Sequence, residues 1–241
     1  MLERVPLLAG LALLAIAVGV GSALIADGIR DRGRTDVITV TGSAKRRIAS
    51  DYAVWTSSLT AKAPLDPAPA EAQLRQWTPR VRKFLAAHGV EPGELTVQPI
   101  STLTPGEVSD ETGETANEYA LTRTFVVRSK RVATVAAVAE ASAALLASGV
   151  PLAADPPEYS YTSLPALRPR LIREAIRDAQ RRARVLVDAT DTHLGKVRGV
   201  DVGVFQVTAP NSTEVSDYGE YDTSTREKDV TGVVNVTFAL G

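Results

Sequence analysis

The sequence predicts an α+β fold: a mixed, largely antiparallel sheet with two or three packing helices, preceded by one transmembrane helix. Three observations carry the prediction. Segments with period-two alternation and segments with three- to four-residue periodicity follow one another as strand, helix, strand, strand, helix, strand. That order suits a split βαβ-like core, in which two helices cover one face of an antiparallel sheet. Near the end, Val234, Val236, Phe238 and Leu240 alternate strictly, so the closing strand needs a partner sheet for its apolar face. At the start, no residue from Val5 to Ala26 is charged.

That apolar run would span about 33 Å as a helix, enough for a bilayer core. Gly21-Ser22-Ala23 offers a small-x-small cleavage site. The run is nevertheless longer than a secretory signal's apolar region, which favours an uncleaved anchor over a processed, secreted chain. Arg30, Arg32 and Arg34 follow the segment and only Arg4 precedes it, a bias that argues for a cytoplasmic C-terminal side. A long C-terminal domain translocates largely regardless of that bias, so the expectation is a single pass through the cytoplasmic membrane with the domain outside. Ala15, Gly19 and Ala23 place small residues on one helix face, where anchors could pack together or the residues could merely be tolerated. The expected organisation is an anchor and linker over residues 1–34 and one α+β domain over 35–241.

Within that domain, Val37 to Thr41 and Tyr52 to Ala61 read as strands, joined as a hairpin by a turn over Ser43 to Ser50. Asp66 caps a helix whose Leu74, Trp77, Val81, Phe84 and Leu85 recur at helical spacing, with Pro79 expected to kink or divide it and Gly89 to end it. That spacing makes Trp77 and Phe84 core residues ahead of an aromatic handle for a ligand. Leu95 to Leu103 is a strand in which Pro99 marks an edge or a bulge, and Tyr119 to Arg128 is another with Tyr119, Leu121, Phe125 and Val127 on one face. Ser129 starts a helix that Gly149 stops, and Glu158 to Ser163 completes the unit. A long helix from Pro169 to Thr190 buries Ile172, Ile176, Ala179, Ala183 and Leu186, and Val197 to Val207 with Asp229 to Leu240 forms a C-terminal β-hairpin.

Composition narrows the chemistry. The 241 residues are 44% hydrophobic, enough for a sizeable core, and their net charge of -1 gives no basic field for nucleic acid. The absence of cysteine excludes disulfides, thiolate metal sites and cysteine nucleophiles. His88 lies at a helix end and His193 in a turn, neither with a companion at ligand spacing, and no G-x-S-x-G elbow is present.

These residues resemble the SIMPL-domain family of envelope proteins over roughly Val37 to Leu240. The resemblance rests on Ile38-Thr39-Val40-Thr41-Gly42-Ser43-Ala44, the strand after Ser50-Asp51, Gly89-Val90-Glu91 leading to Leu95-Thr96-Val97-Gln98-Pro99, the helix Ile172 to Val187, Leu194-Gly195-Lys196-Val197, and Val234-Asn235-Val236-Thr237-Phe238. It implies an extracytoplasmic α+β domain, homo-oligomers that are ring-like or hollow in some members, an association with oxidative-stress protection in some bacterial members, and no known enzyme activity. Pro79 and the arginines behind the anchor depart from the family's pattern.

Three charged features compete for a functional role. Arg168, Arg170, Arg173, Arg177, Arg181, Arg182 and Arg184 are interleaved with Glu174 and Asp178 on one helix, which suits a salt-bridged solvent face better than an anion site. The loop 104–118 carries Glu107, Asp110, Glu111, Glu114 and Glu118, and the stretch before the last strand, loop 208–228 and its margin, carries Glu214, Asp217, Glu220, Asp222, Glu227 and Asp229 with Tyr218 and Tyr221. A variable or disordered loop is the ordinary explanation of such an excursion, partner contact is the functional one, and ordered calcium-ligand spacing is missing. No catalytic, cofactor-binding or metal residue is nominated. The expected function is a non-enzymatic, membrane-anchored homo-oligomeric envelope scaffold. The alternative is a monovalent module holding an envelope protein partner through the two acidic loops, with a hydrolase last.

Overall fold

The computed structural model describes residues 36–109, 113–190, 192–212 and 218–241. The apolar stretch Val5 to Ala26 and its linker lie outside these residues. Among the described residues no helix is long and apolar enough to cross a membrane. The architecture is mixed α and β with antiparallel sheets. The strands are β1 (Val37–Ala49), β2 (Tyr52–Ala63), β3 (Leu95–Leu103), β4 (Tyr119–Ser129), β5 (Leu152–Ala154), β6 (Glu158–Ser160), β7 (Leu194–Val202), β8 (Gln206–Thr208) and β9 (Glu227–Leu240). The helices are α1 (Ala68–Ala87), α2 (Val132–Ala141), α3 (Ala143–Ala147) and α4 (Leu164–Asp188). One sheet runs β3-β4-β2-β5 with β6 also on β2; the other runs β1-β9-β7 with β8 also on β9. The chain divides into two compact units: residues 36–42, Ile176–Val202 and Val234–Gly241 form one, and Ser43–Ala175 with Gly203–Val233 the other.

The larger unit holds the split arrangement. β2 and β4 are antiparallel neighbours from Ala53↔Ser129 to Ala63↔Tyr119, which brings Trp55 and Leu59 into one layer with Leu121, Phe125 and Val127. Ala70, Leu74, Val81 and Leu85 of α1 and Val135, Ala136 and Val138 of α2 close that layer as a single apolar core. Trp77 and Phe84 pack against its margin, as helical spacing implies. Trp55 is fully buried, and its indole N–H donates to the Asp155 carbonyl at 2.9 Å, so its one polar atom is satisfied. At the β3 edge the register slips between Val97 and Ile100, around Pro99, whose missing N–H would otherwise break a ladder bond.

Pro79 neither divides nor ends α1. It lies on the exposed side of the helix together with Arg75, whose carbonyl it leaves without an i+4 donor. Helix α1 closes at Gly89 with φ +88, a conformation that costs a glycine little. Glu94 then joins three segments. Its carboxylate accepts from the Glu91 N–H at 2.9 Å, from the Ser129 hydroxyl, and from the Arg131 guanidinium, with Nε 3.2 Å from Oε1. These bonds explain why Ser129 does not open α2. Its hydroxyl donates to Glu94 and accepts from the Arg131 N–H at 2.9 Å, and the helix begins only at Val132.

The expected β1–β2 hairpin is replaced by a crossing between sheets. Strand β1 continues through Gly42-Ser43 and Lys45-Arg46-Arg47, with Val40 and Ala44 alternating inward. The corner residues bond outward instead of across a turn: Ser50 N–H to Arg226 O at 2.8 Å, Asp51 N–H to Ser160 O at 3.0 Å, and the Asp51 carboxylate to the Thr162 N–H at 2.7 Å and the Ser163 hydroxyl at 3.1 Å. The last bonds also stop β6 at Ser160. In β1 and β9 of the smaller unit, Thr39 and Thr237 share a hydroxyl hydrogen bond of 2.9 Å, and the Thr41 hydroxyl donates to Asn235 Oδ1 at 2.7 Å.

Helix α4 starts at Leu164, more than a turn earlier than expected, so Pro165 occupies the first turn and Pro169 lies inside on the exposed side. Its buried stripe is Leu171, Ala175, Ala179, Ala183 and Val187, while Ile172 and Ile176 flank it and Leu186 is exposed. A fixed four-residue step gains about 40° per repeat, so the seam winds gradually around the helix from Leu171 to Val187. The stretch read as one strand over 197–207 is two, β7 and β8, parted at Gly203, whose N–H donates to Val233 O at 2.9 Å.

Candidate functional site

The 208–228 excursion, in the larger unit, is built from a pair of adjacent buried charges at the start of β9. Alternation places Lys228 on the same side as Val230 and Val234, and Asp229 on the other. Lys228 is fully buried; its ammonium donates to Asp222 Oδ2 at 3.0 Å and to the Thr225 carbonyl at 2.6 Å. Asp222 also accepts from the Ser224 N–H at 2.9 Å and from the Ser224 and Thr225 hydroxyls. Burial pushes this carboxyl up, but those donors outweigh it and hold the group well below the usual carboxylate range.

Asp229 holds the other limb. Its carboxylate receives Arg47 Nε at 3.0 Å, Lys45 Nζ at 2.9 Å and the Asn211 N–H at 3.1 Å, while Arg47 also donates to Asn211 Oδ1 at 3.2 Å. The Arg47 hydrogen bond is the largest reason that this carboxyl is also held well below its ordinary range. Asn211 has φ 64, a left-handed conformation that asparagine tolerates better than most residues. The two limbs of the excursion therefore end on neighbouring residues of one strand.

The return limb is not a free loop. Val207 N–H donates to Glu220 O and Asp222 N–H to Val207 O, both at 2.8 Å; Tyr159 N–H donates to Thr223 O at 2.7 Å. The Tyr221 hydroxyl accepts from the Tyr161 N–H at 2.9 Å. Tyr218 is 97% exposed, whereas Tyr221 has become a tie. Residues 220–223 of the excursion are thus tied to β8 and to the β6 region by these bonds. The described parts of loop 104–118 form a small ribbon: Val108 pairs with Thr115, Gly106 and Gly113 take positive φ, and Glu107 accepts from the Thr104 N–H at 2.8 Å. Glu118 sits 3.3 Å from Lys62.

Three of the seven helix-borne arginines, Arg170, Arg181 and Arg182, follow the salt-bridged pattern. Arg170 and Arg46 meet Glu174, each at 3.2 Å, and Arg181 and Arg182 meet Asp178 at 2.9 and 2.8 Å. Arg168 lies 5.5 Å from the Phe205 ring centroid. His88 Nδ1 bonds the Phe84 carbonyl at 2.8 Å at the end of α1, and His193 exchanges backbone bonds with Gly241. Among the described residues no cluster of three His, Asp or Glu is placed to hold a metal ion. Sequence reasoning missed Lys228 and Asp229 as a positioning pair. The signal was present, since extending the alternation of Phe238, Val236, Val234 and Val230 back by one step puts Lys228 inside.

The family model for SIMPL, described as a protein of unknown function (DUF541), matches residues 38–238. The chain belongs to the SIMPL family. The matched span runs from the second residue of β1 to Phe238 of β9, so the SIMPL match includes the Thr39–Thr237 and Thr41–Asn235 pairs. No curated protein matches the chain.

Proposed function

We propose that this SIMPL protein is a membrane-anchored, extracytoplasmic scaffold that works as a homo-oligomer and carries out no bond-making chemistry. Strand β7 carries the assembly part of this reading. It is an edge strand, and its Val200 and Val202 pair with Val236 and Val234. Those partners are 0% and 1% exposed, yet Val200 and Val202 are 46% and 45% exposed. An edge with inward valines left half open is a template for another strand or apolar surface, and a second copy is the partner present at the highest local concentration in an assembly. The anchor part rests on the apolar run Val5 to Ala26.

Mass photometry of detergent-solubilised full-length protein is expected to give a discrete multimer, and Val200→Lys to shift it to smaller species with an unchanged circular dichroism spectrum. A strict monomer removes the assembly reading. The second reading, a binding module, is favoured by the clasped 208–228 excursion presenting Tyr218. Deleting residues 212–218 abolishes capture of an envelope partner under that reading and leaves the oligomer intact under the first.

A further inference from the structure

The free edges of the two sheets differ in how far they are closed to a further strand. One sheet ends on β3 and on the tandem pair β5 and β6; the other has β1 on one side of β9 and β7 at its far edge, with β8 also on β9. Native folds close an edge with a bulge, proline, short strands or charge. Strand β3 is broken by the register slip at Pro99, and β5 and β6 are three residues each, with Pro156 and Pro157 between them. In β8, Val207 already pairs with Tyr221 of the excursion. Strand β1 runs on into Lys45, Arg46 and Arg47, and its inward Val40 is buried, so a strand added there would cover little that is apolar.

Strand β7 changes character along its length. From Leu194 to Gly199 its register slips twice, and Lys196 and Arg198 stand on it. From Gly199 to Val202 it pairs residue for residue with Thr237, Val236, Asn235 and Val234, without proline, base or bulge. Val200 and Val202 share a face with their buried partners and are themselves nearly half exposed, while Gly199 and Asp201 share the other face with Thr237 and Asn235. Among the described residues, this is the stretch of free edge that combines a regular ladder with uncovered apolar side chains.

We infer that β7 pairs with β7 of a second copy, antiparallel about a two-fold axis, with Val200 opposite its own copy. The inference rests on the assembly reading and names its contact. A head-to-tail contact would join β7 to one of the closed edges, whereas an isologous contact joins the open edge to itself, and the two-fold axis makes the strands antiparallel. Face and charge then fix the register. Paired residues lie on one face of a sheet, so some residue must oppose its own copy. With Asp201 in that place two carboxylates would face each other, which is destabilising. With Gly199 or Val202 there, the pairing runs into the bulged stretch or past the end of the strand. With Val200 there, Asp201 falls opposite Gly199, and all three residues lie in the regular stretch.

The chain has no cysteine, so single replacements report contacts directly. Gly199 accepts a side chain, since a Cβ there would meet only the Thr237 Cβ, at 4.0 Å. Full-length Val200→Cys, checked for native circular dichroism, is oxidised mildly in detergent and run on a non-reducing gel beside Ser101→Cys, an exposed position on β3. Directly opposed residues have Cβ atoms about 4.5–5.5 Å apart and diagonal ones about 7–8 Å, so disulfide formation separates the two. Val200→Cys is expected to form a covalent dimer about a hundredfold faster than Ser101→Cys at micromolar protein, because a paired thiol meets its partner at a millimolar effective concentration. Gly199→Cys and Asp201→Cys should each dimerise slowly alone and rapidly when coexpressed. A multimer by mass photometry in which Val200→Cys reacts no faster than Ser101→Cys overturns the β7 pairing and leaves the assembly reading standing. The same holds if coexpressed Gly199→Cys and Asp201→Cys react no faster than either alone. A strict monomer overturns both.

Discussion

At the scale of single residues, the carboxylates do unequal work although many are paired. Asp229 is almost fully buried and holds two cations and a backbone N–H, whereas Glu71 and Arg75, 3.1 Å apart on α1, are largely open to water. Asp229→Asn is expected to lower stability by about 1.5–3 kcal/mol, the range for hydrogen bonds to charged groups, with the half-exposed Lys45 and Arg47 regaining some hydration. Glu71→Gln should cost no more than about 0.5 kcal/mol. Urea denaturation of the two variants separates them, and equal effects would remove Asp229's special place. Glu94 gives a pH dependence with a defined sign. The Arg131 hydrogen bond is the main cause that lowers its carboxyl from the ordinary 4.5 to about 2. Because the folded value is depressed, its stabilisation is fully present above the unfolded value and is lost as pH falls from about 5 through about 2. Thermal midpoints of the wild type and Glu94→Gln should converge on acidification over that window. A gap that stays constant would mean that the carboxylate charge is not what the Arg131 contact uses.

At the scale of elements, strands with one buried face were the most legible. Leu95 to Leu103 has the bounds its alternation implies, and the bulge falls at Pro99 as its missing donor requires. The ends of α1 and α3 at Gly89 and Gly149, with φ +88 and +81, were equally plain. Alanine at Gly149 meets no neighbouring atom but must take a left-handed backbone, so Gly149→Ala is expected to lose about 1 kcal/mol by urea denaturation. A neutral result would mean that the turn relaxes. What the sequence concealed was non-local. Gly42-Ser43-Ala44 followed by three bases has turn composition, yet it runs as strand beside β9, where Lys45 and Arg47 meet Asp229, far along the chain. The inward seam of α4 was legible at Ala179 and Ala183 and lay one residue away from Ile172, Ile176 and Leu186, each a larger apolar side chain standing next to the residue that is buried. Of the candidate site, the acidic loops and exposed Tyr218 were legible; the clasp was not, since a lysine in a loop-like stretch reads as solvated until the strand's alternation is extended to it.

At the scale of the whole molecule, the distribution of long elements decides how the fold comes apart. Strands β1 and β9 and helix α4 each run through both compact units, so neither unit owns a complete set of its own elements. Unravelling one unit would leave three frayed elements entering the other, and a helix or strand stripped of half its partners loses the packing that sustains it. One cooperative transition is therefore expected. Trp55 and Trp77 both lie in the larger unit and report on it alone, whereas far-ultraviolet circular dichroism reports on both. The two signals should coincide in urea. Ala183→Asp, which puts a carboxylate at a fully buried position in the smaller unit's part of α4, should move the tryptophan transition to lower urea by as much as it moves the dichroism. If the tryptophan midpoint stays in place while the dichroism gains an earlier phase, the shared strands and helix are passive connections and the units are separate cooperative bodies.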